Sequence, residues 1–311
     1  MEYKPTSLAI VIPVYNSEKT IARLVDELVG NLGPLYRLEI ILVNDHSGDR
    51  SEEACISLYQ RYKDTVRFYS LSRNVGEHSA VMAGLNKTTA GYVVIMDDDF
   101  QNPVGEVTKL VEKALEGDFD VVYTYYREKK HNIFRNIGSW FHNRVANFML
   151  RKPKDLYLSS FKVLSRFLVE EIIKYKAPFP YIDGLILQAT ENIGRVEVEH
   201  HPRQESRSGY TLGKLVSLWL NMFTNFSILP LRLSVFLGFV FAFLGLAMGA
   251  YTVIEKINHP DLPVGFASLI FSISVFAGVQ LISLGIIGEY IGRIFLTLNR
   301  KPQYTIKKQF E

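Results

Sequence analysis

Three adjacent carboxylates, Asp97-Asp98-Asp99, close the apolar run Tyr92-Val93-Val94-Ile95-Met96 and lead into Phe100-Gln101-Asn102-Pro103. A β-rich run of this kind ending in acids reads as a buried parallel strand whose carboxyl end projects side chains into a ligand crevice. On extended backbone Asp97 and Asp99 point the same way, and Gln101 continues that side if the backbone stays extended. Oxygen donors so spaced suit a hard divalent cation, Mg²⁺ or Mn²⁺, together with the diphosphate of a nucleotide. The plainer alternative is a solvated acidic turn capping a helix that Pro103 begins.

These acids need a frame. Leu8 to Tyr15 reads as a buried strand, and Asn16 or Ser17 can cap a helix with apolar spacing at Ile21, Leu24, Val25 and Leu28. Leu38 to Val43 is a second strand and ends in Asn44-Asp45-His46-Ser47-Gly48-Asp49. A helix over Glu52–Tyr62, a strand over Val66–Leu71 and a helix over Glu77–Asn86 come before the acidic strand. The alternation implies an α/β fold with a doubly wound, mostly parallel sheet and right-handed crossovers. Ligands in such sheets sit at the carboxyl ends of the strands, where Asp45, Arg73 and the acidic triplet would meet. No Gly-x-Gly-x-x-Gly follows the first strand and no Gly-Lys-Ser/Thr loop occurs, which removes the main support for a dehydrogenase or a nucleotide hydrolase.

Hydrophobicity is unevenly spread along the 311 residues, of which 48% are hydrophobic. Leu233–Ile254 and Val264–Gly288 carry no charge, and each is long enough as a helix to span a hydrocarbon core of roughly 30 Å. Arg232 precedes the first span, and Arg293, Arg300, Lys301, Lys307 and Lys308 follow the second, whereas the connection carries one lysine. The positive-inside rule then places both flanks in the cytoplasm. Residues 1–211 are expected as a cytoplasmic catalytic domain, 212–231 as a juxtamembrane amphipathic helix, and 232–311 as a transmembrane hairpin with a basic tail. Residues 131–151, rich in aromatic and basic side chains, suit a helix lying in a headgroup layer. No cleavable signal peptide is visible. The net charge of +3 gives no argument for a nucleic-acid partner, and the single cysteine, Cys55, reads as a small core residue.

Taken in order, Val11-Ile12-Pro13-Val14-Tyr15-Asn16, Val43-Asn44-Asp45-His46-Ser47-Gly48-Asp49, Ser72-Arg73-Asn74-Val75-Gly76-Glu77 and Asp97-Asp98-Asp99-Phe100-Gln101-Asn102-Pro103 resemble the signature of family 2 glycosyltransferases of the GT-A fold. With Gly288-Glu289-Tyr290-Ile291-Gly292-Arg293 and Lys301-Pro302-Gln303-Tyr304, the chain is similar to the polyprenyl-phosphate glycosyltransferases, which include dolichol-phosphate mannose synthases and bacterial undecaprenyl-phosphate glucose and aminoarabinose transferases. Four departures stand out: Asn44 and His46 replace the commoner Asp and Gly, Asp98 replaces a small residue, and Lys162 stands where relatives often have arginine beside a phosphate.

The resemblance implies roles. Pro13, Tyr15, Asn16, Asp45, Arg73, Asp97 and Asp98 would bind the nucleotide sugar, a UDP-sugar ahead of a GDP-sugar. Asp99, Gln101 and Asp97 would hold Mg²⁺ or Mn²⁺, with Asp97, Asp99 and Arg203 catalytic. Arg135, Arg144, Arg203 and Arg207 would face the acceptor phosphate. The activity implied is inverting transfer of a sugar to a polyprenyl (undecaprenyl) phosphate at the cytoplasmic face of an inner membrane, by a multi-pass protein that can form a homo-oligomer. An acceptor phosphate is already substantially anionic near neutral pH, so the nucleophile needs little help from a base; Asp98 is the most available carboxylate for one, though it reads more simply as a turn residue. Two other classes stay open: a membrane transferase to a saccharide or glycolipid hydroxyl, which needs a base, and a catalytically silent scaffold.

Overall fold

The computed structural model describes residues 6–126, 156–199, 229–259 and 265–311. They divide into two units, residues 1–211 with 300–311, and residues 212–299.

The first unit is built on an eight-stranded sheet. Its strands are β1 (Ser7–Val14), β2 (Arg37–Asn44), β3 (Val66–Leu71), β4 (Tyr92–Ile95), β5 (Val121–Tyr125), β6 (Lys162–Ser165), β7 (Ile193–Glu197) and β8 (Ile306–Phe310). Their spatial order is β7-β5-β6-β4-β1-β2-β3-β8. The central strands β4, β1, β2 and β3 run parallel, as do β5 and β7. Strand β6 lies antiparallel between β4 and β5, and β8 is antiparallel to β3. The sheet is therefore mixed, parallel at its centre and antiparallel toward its flanks.

Helices α1 (Ile21–Leu32), α2 (Ser51–Arg61), α3 (Glu77–Leu85) and α4 (Glu106–Gly117) alternate with these strands, and α5 (Arg166–Ile172) and α6 (Ile182–Ala189) follow β6. Alternation along β1 divides the core. Leu8, Ile10, Ile12 and Val14 pack with the buried faces of α1, α2 and α4, whereas Val11 faces α3, whose Gly84 sits against Val11 and Val43. Every residue of α3 from Ser79 to Leu85 is buried. Cys55 is buried in α2.

Three local expectations change. Helix α1 starts at Ile21 with Thr20 as its first flanking residue and no side-chain cap. Ser17 is occupied elsewhere, its N–H donating to Ser51 Oγ at 2.7 Å. Helix α4 begins at Glu106, after a turn through Pro103, and not at the proline itself. The basic tail, expected as an extension of the hairpin, instead supplies β8: Phe310 stacks on Phe68 with ring centroids 5.9 Å apart, and Gln303 Nε2 donates to the carbonyls of Tyr175 and Ala177.

The second unit contains α7 (Leu229–Asn258) and α8 (Phe266–Leu298), two apolar helices that form a hairpin. The Phe241 and Phe276 rings meet edge to face, and Phe276 also covers Gly245. Large apolar side chains such as Phe239 and Leu246 are otherwise exposed, an arrangement that hydrocarbon satisfies and water does not. At 33 residues α8 is about 50 Å long, longer than a hydrocarbon core. Its last turns carry the Glu289–Arg293 pair at 2.8 Å, a charged extension.

Candidate active site

The carboxyl ends of β1, β2, β3 and β4 converge, and each is followed by backbone in the left-handed region. Asn16, His46 and Phe100 have φ of 56°, 57° and 59°, and Gly76 has φ of 89°. For residues with a Cβ such conformations are held by surrounding structure and cluster at ligand sites. Here three of them follow three neighbouring strands.

At the end of β4 the extended backbone stops: the chain bends from Asp98 to Asn102, turned by Phe100. Gln101 therefore does not continue an alternating ladder with Asp97 and Asp99. Its N–H donates to Asp99 Oδ1 at 3.1 Å and closes a tight turn. Asp97 Oδ2 accepts from Ser160 Oγ at 2.6 Å. Asp98 Oδ2 accepts from Ser17 Oγ and from the Tyr15 N–H at 3.4 Å. Desolvation, then the neighbouring Glu77 carboxylate, pushes Asp97 up to about 7 against the opposing Ser160 bond. Desolvation, followed among the raising influences by Asp97, carries Asp98 to about 6, opposed by Ser17. Glu77 is raised as well, first by desolvation, with Asp183, Asp98 and Asp99 adding to it and Lys162 opposing. Crowded acids of this kind favour a cation. Among the described residues no three His, Cys, Asp or Glu side chains converge as a preformed metal cage. Two carboxylates, Asp97 and Asp99, suit Mg²⁺ or Mn²⁺, which take few protein ligands beside a substrate diphosphate.

Beyond β2, Asp45 is buried and spends both oxygens on the turn before α3, accepting from Val75 N–H at 2.7 Å and Gly76 N–H at 2.9 Å. Burial raises its carboxyl, and those two bonds oppose the shift. Asn16 joins the first two loops: its Oδ1 accepts from Gly48 N–H at 2.9 Å and its N–H donates to Ser47 Oγ at 3.0 Å. Tyr15 is 53% exposed and Arg73 is exposed, so both are open to a ligand. Pro13 lies in β1, in register with Val43. Arg135, Arg144, Arg203 and Arg207 lie outside the described residues.

A buried charge network under the acids carries no sequence signature. Lys162 of β6, 3% exposed, does not reach toward a phosphate; its Nζ pairs with Asp183 Oδ1, which also accepts from Tyr123 Oη at 2.8 Å. Lys162 is two residues from Ser160, the partner of Asp97, and registers with Ile95 of β4. His78 stands edge-on to Tyr181 at 5.1 Å, and desolvation drives its imidazole down to about 4. In the sequence Ser17 offers itself only as a helix cap, and Ser160, Asp183 and Tyr123 carry no local pattern, because their partners lie 21 or more residues away.

Residues 9–173 match the family described as glycosyl transferase family 2, and residues 221–294 match the GtrB C-terminal hairpin. The undecaprenyl-phosphate 4-deoxy-4-formamido-L-arabinose transferase of Klebsiella pneumoniae (strain 342) is 31% identical over 99% of this chain and 95% of its own length. That of Yersinia pestis (strain Pestoides F) is 31% identical over 97% and 93%. Among solved structures, glucosyl-3-phosphoglycerate synthase from Mycobacterium tuberculosis, in complex with Mn²⁺, UDP and glucosyl-3-phosphoglycerate, superimposes with a TM-score of 0.51 at 19% identity, covering 70% of this chain and 76% of that one. That likeness speaks to the fold.

Proposed function

The chain belongs to glycosyl transferase family 2, and from that premise we propose that it transfers a sugar from a nucleoside diphosphate to undecaprenyl phosphate at the cytoplasmic face of an inner membrane, with inversion at the anomeric carbon. What carries the reading is the continuation of the family likeness through the hairpin: the named relatives act on undecaprenyl phosphate and match nearly end to end. A lipid acceptor resides in the bilayer, so a catalytic unit joined to two apolar helices suits it. Because β8 returns to the sheet built by residues before the hairpin, an even number of crossings, two, leaves both ends of the chain on one side.

In this reading Tyr15 and the Asp45 loop receive the nucleoside, and Asp97 and Asp98 border the ribose and diphosphate. Asp97 and Asp99, with Gln101 beside them, would hold Mg²⁺ or Mn²⁺. Bound there, the ion offsets charge on the departing diphosphate. Ser160 holds one oxygen of Asp97, and Ser17 and the Tyr15 N–H hold Asp98, so the acids keep their positions despite mutual repulsion. A phosphate oxygen of the acceptor attacks the anomeric carbon in line. The bond from that carbon to the diphosphate breaks, and the diphosphate leaves with the electron pair. Arg135, Arg144, Arg203 and Arg207 are proposed to hold the acceptor phosphate.

The test is label transfer from UDP- and GDP-sugars into undecaprenyl phosphate by detergent-purified protein. One donor should label the lipid with Mn²⁺ or Mg²⁺, and chelation or Asp99→Asn should lower the rate by about 100-fold or more. Transfer to a glycolipid hydroxyl, with none to the lipid phosphate, overturns the acceptor.

A further inference from the structure

The loop after β2 is tied to the C-terminal strand by a continuous path of hydrogen bonds. Asn44, the last residue of β2, is 1% exposed and uses all the bonding capacity of its amide. Its Nδ2 donates to Glu52 Oε2 at 3.3 Å and to Ser70 Oγ at 3.2 Å. Its Oδ1 accepts from the Ser47 N–H at 3.1 Å and from Ser47 Oγ at 2.6 Å. Ser47 Oγ in turn receives the Asn16 N–H. At the other end, Glu52 Oε2 also accepts from Ser70 Oγ at 2.7 Å, and its Oε1 accepts from Lys308 Nζ of β8 at 2.6 Å. Donors and acceptors alternate without conflict from Lys308 to the loop that holds Asp45.

This accounts for asparagine at position 44. The atom facing Glu52 must donate and the atom facing Ser47 must accept, which the amide of asparagine does and the carboxylate of aspartate, an acceptor at both oxygens, does not. An aspartate there would set two carboxylates about 3 Å apart in a buried place, with one oxygen lacking a donor. Lys308 holds Glu52 Oε1 while Oε2 faces Asn44, and this lysine, more than any other group, lowers the Glu52 carboxyl below its ordinary range.

We propose that Glu52 and Lys308 are positioning residues for nucleotide binding: acting through Asn44 and Ser47, they set the loop that carries Asp45 and Asn16, so the C-terminal strand supports the donor site. The inference rests on the reading of that loop as the nucleoside contact.

The test is titration of the full-length, detergent-solubilised protein with UDP and with GDP in the presence of Mn²⁺, with the thermal midpoint of every variant measured alongside. Lys308→Met should weaken binding of the preferred nucleotide about three- to fivefold, the upper range for a partly exposed ion pair. Because the Lys308–Glu52 pair is partly exposed, the thermal midpoint should barely move. Lys308→Arg should bind as the parent does. Asn44→Asp should weaken binding by about tenfold or more, and adding Glu52→Gln, which exchanges donor and acceptor between the two positions, should restore it. Unchanged affinity in Lys308→Met and Asn44→Asp, or a double variant that regains its thermal midpoint but not its affinity, overturns the inference. A parent protein that binds neither nucleotide overturns the nucleotide-sugar reading and the inference with it.

Discussion

Lys162 carries its charge almost wholly out of water, and the physical cost of that explains what its environment looks like. A buried ion pair gains little over apolar residues of similar volume, but removing one partner strands the other. Lys162→Met should therefore destabilise the catalytic unit by about 3–5 kcal/mol. Lys162→Met with Asp183→Asn should recover most of the loss, since the amide oxygen still accepts from Tyr123 Oη. Chemical denaturation of the two variants checks this, and equal losses would refute it. His78 gives a pH dependence opposite in sign to that of a histidine held charged in a salt bridge. Its imidazole is held neutral in the fold down to about 4, mainly by desolvation, with Lys162 adding and Asp183 opposing. The unfolded chain takes up that proton below about 6.5. The contribution to stability is thus complete above pH 6.5 and drains away as pH falls toward 4. Thermal midpoints of the parent and of His78→Gln should converge with decreasing pH across that window; parallel curves would contradict the assignment. The acids of the triplet were legible in sequence because three adjacent carboxylates after an apolar run are rare. Ser160 and Ser17 were not, since they meet Asp97 and Asp98 from 63 and 81 residues away. For Lys162 the resemblance points to a phosphate, and its true partner Asp183, 21 residues on, forms no local pattern with it.

The helix α3 positions two features at once: its first turn follows Gly76, whose N–H Asp45 holds, and its far end presses on the sheet. Gly84 permits that closeness, because a Cβ there would collide with Val11 Cγ1 and crowd Val43 Cγ2 at 3.3 Å. Gly84→Ala should cost about 1–3 kcal/mol through overpacking and lower the thermal midpoint. A neutral result would mean that α3 shifts freely on β1 and β2. The four central strands were readable as apolar runs closed by turn residues, with ends displaced by a residue or so. Strand β8 was hidden by its own chemistry. In Ile306-Lys307-Lys308-Gln309-Phe310 only the ends are apolar, because an edge strand buries little and carries lysines outward, and the same lysines read as a cytoplasmic tail. The bend at Phe100 was equally hidden, since phenylalanine has no preference for positive φ.

For the whole molecule, the proposed two-span topology is open to direct measurement. The only cysteine, Cys55, is fully buried and its thiol is pushed far up by desolvation, so introduced cysteines report alone. In intact cells a membrane-impermeant maleimide should label His259→Cys, at the end of α7, and should reach Lys307→Cys in β8 only after permeabilisation. Labelling in the reverse order would invert the topology. The spans themselves were legible from length and lack of charge, whereas the return of the chain to its first sheet was not, because long-range pairing leaves no local pattern. That return sets an order of assembly. On a ribosome adding about 5–20 residues per second, β3 is made long before its partner, and Tyr69 waits for a residue 242 positions later. Until the hairpin has emerged, one side of Phe68–Leu71 presents unpaired backbone groups, a template for aggregation. A nascent chain cut short within or just after the hairpin would thus keep its acids and lose its edge, which makes Ile306–Phe310 a late seal on the first sheet.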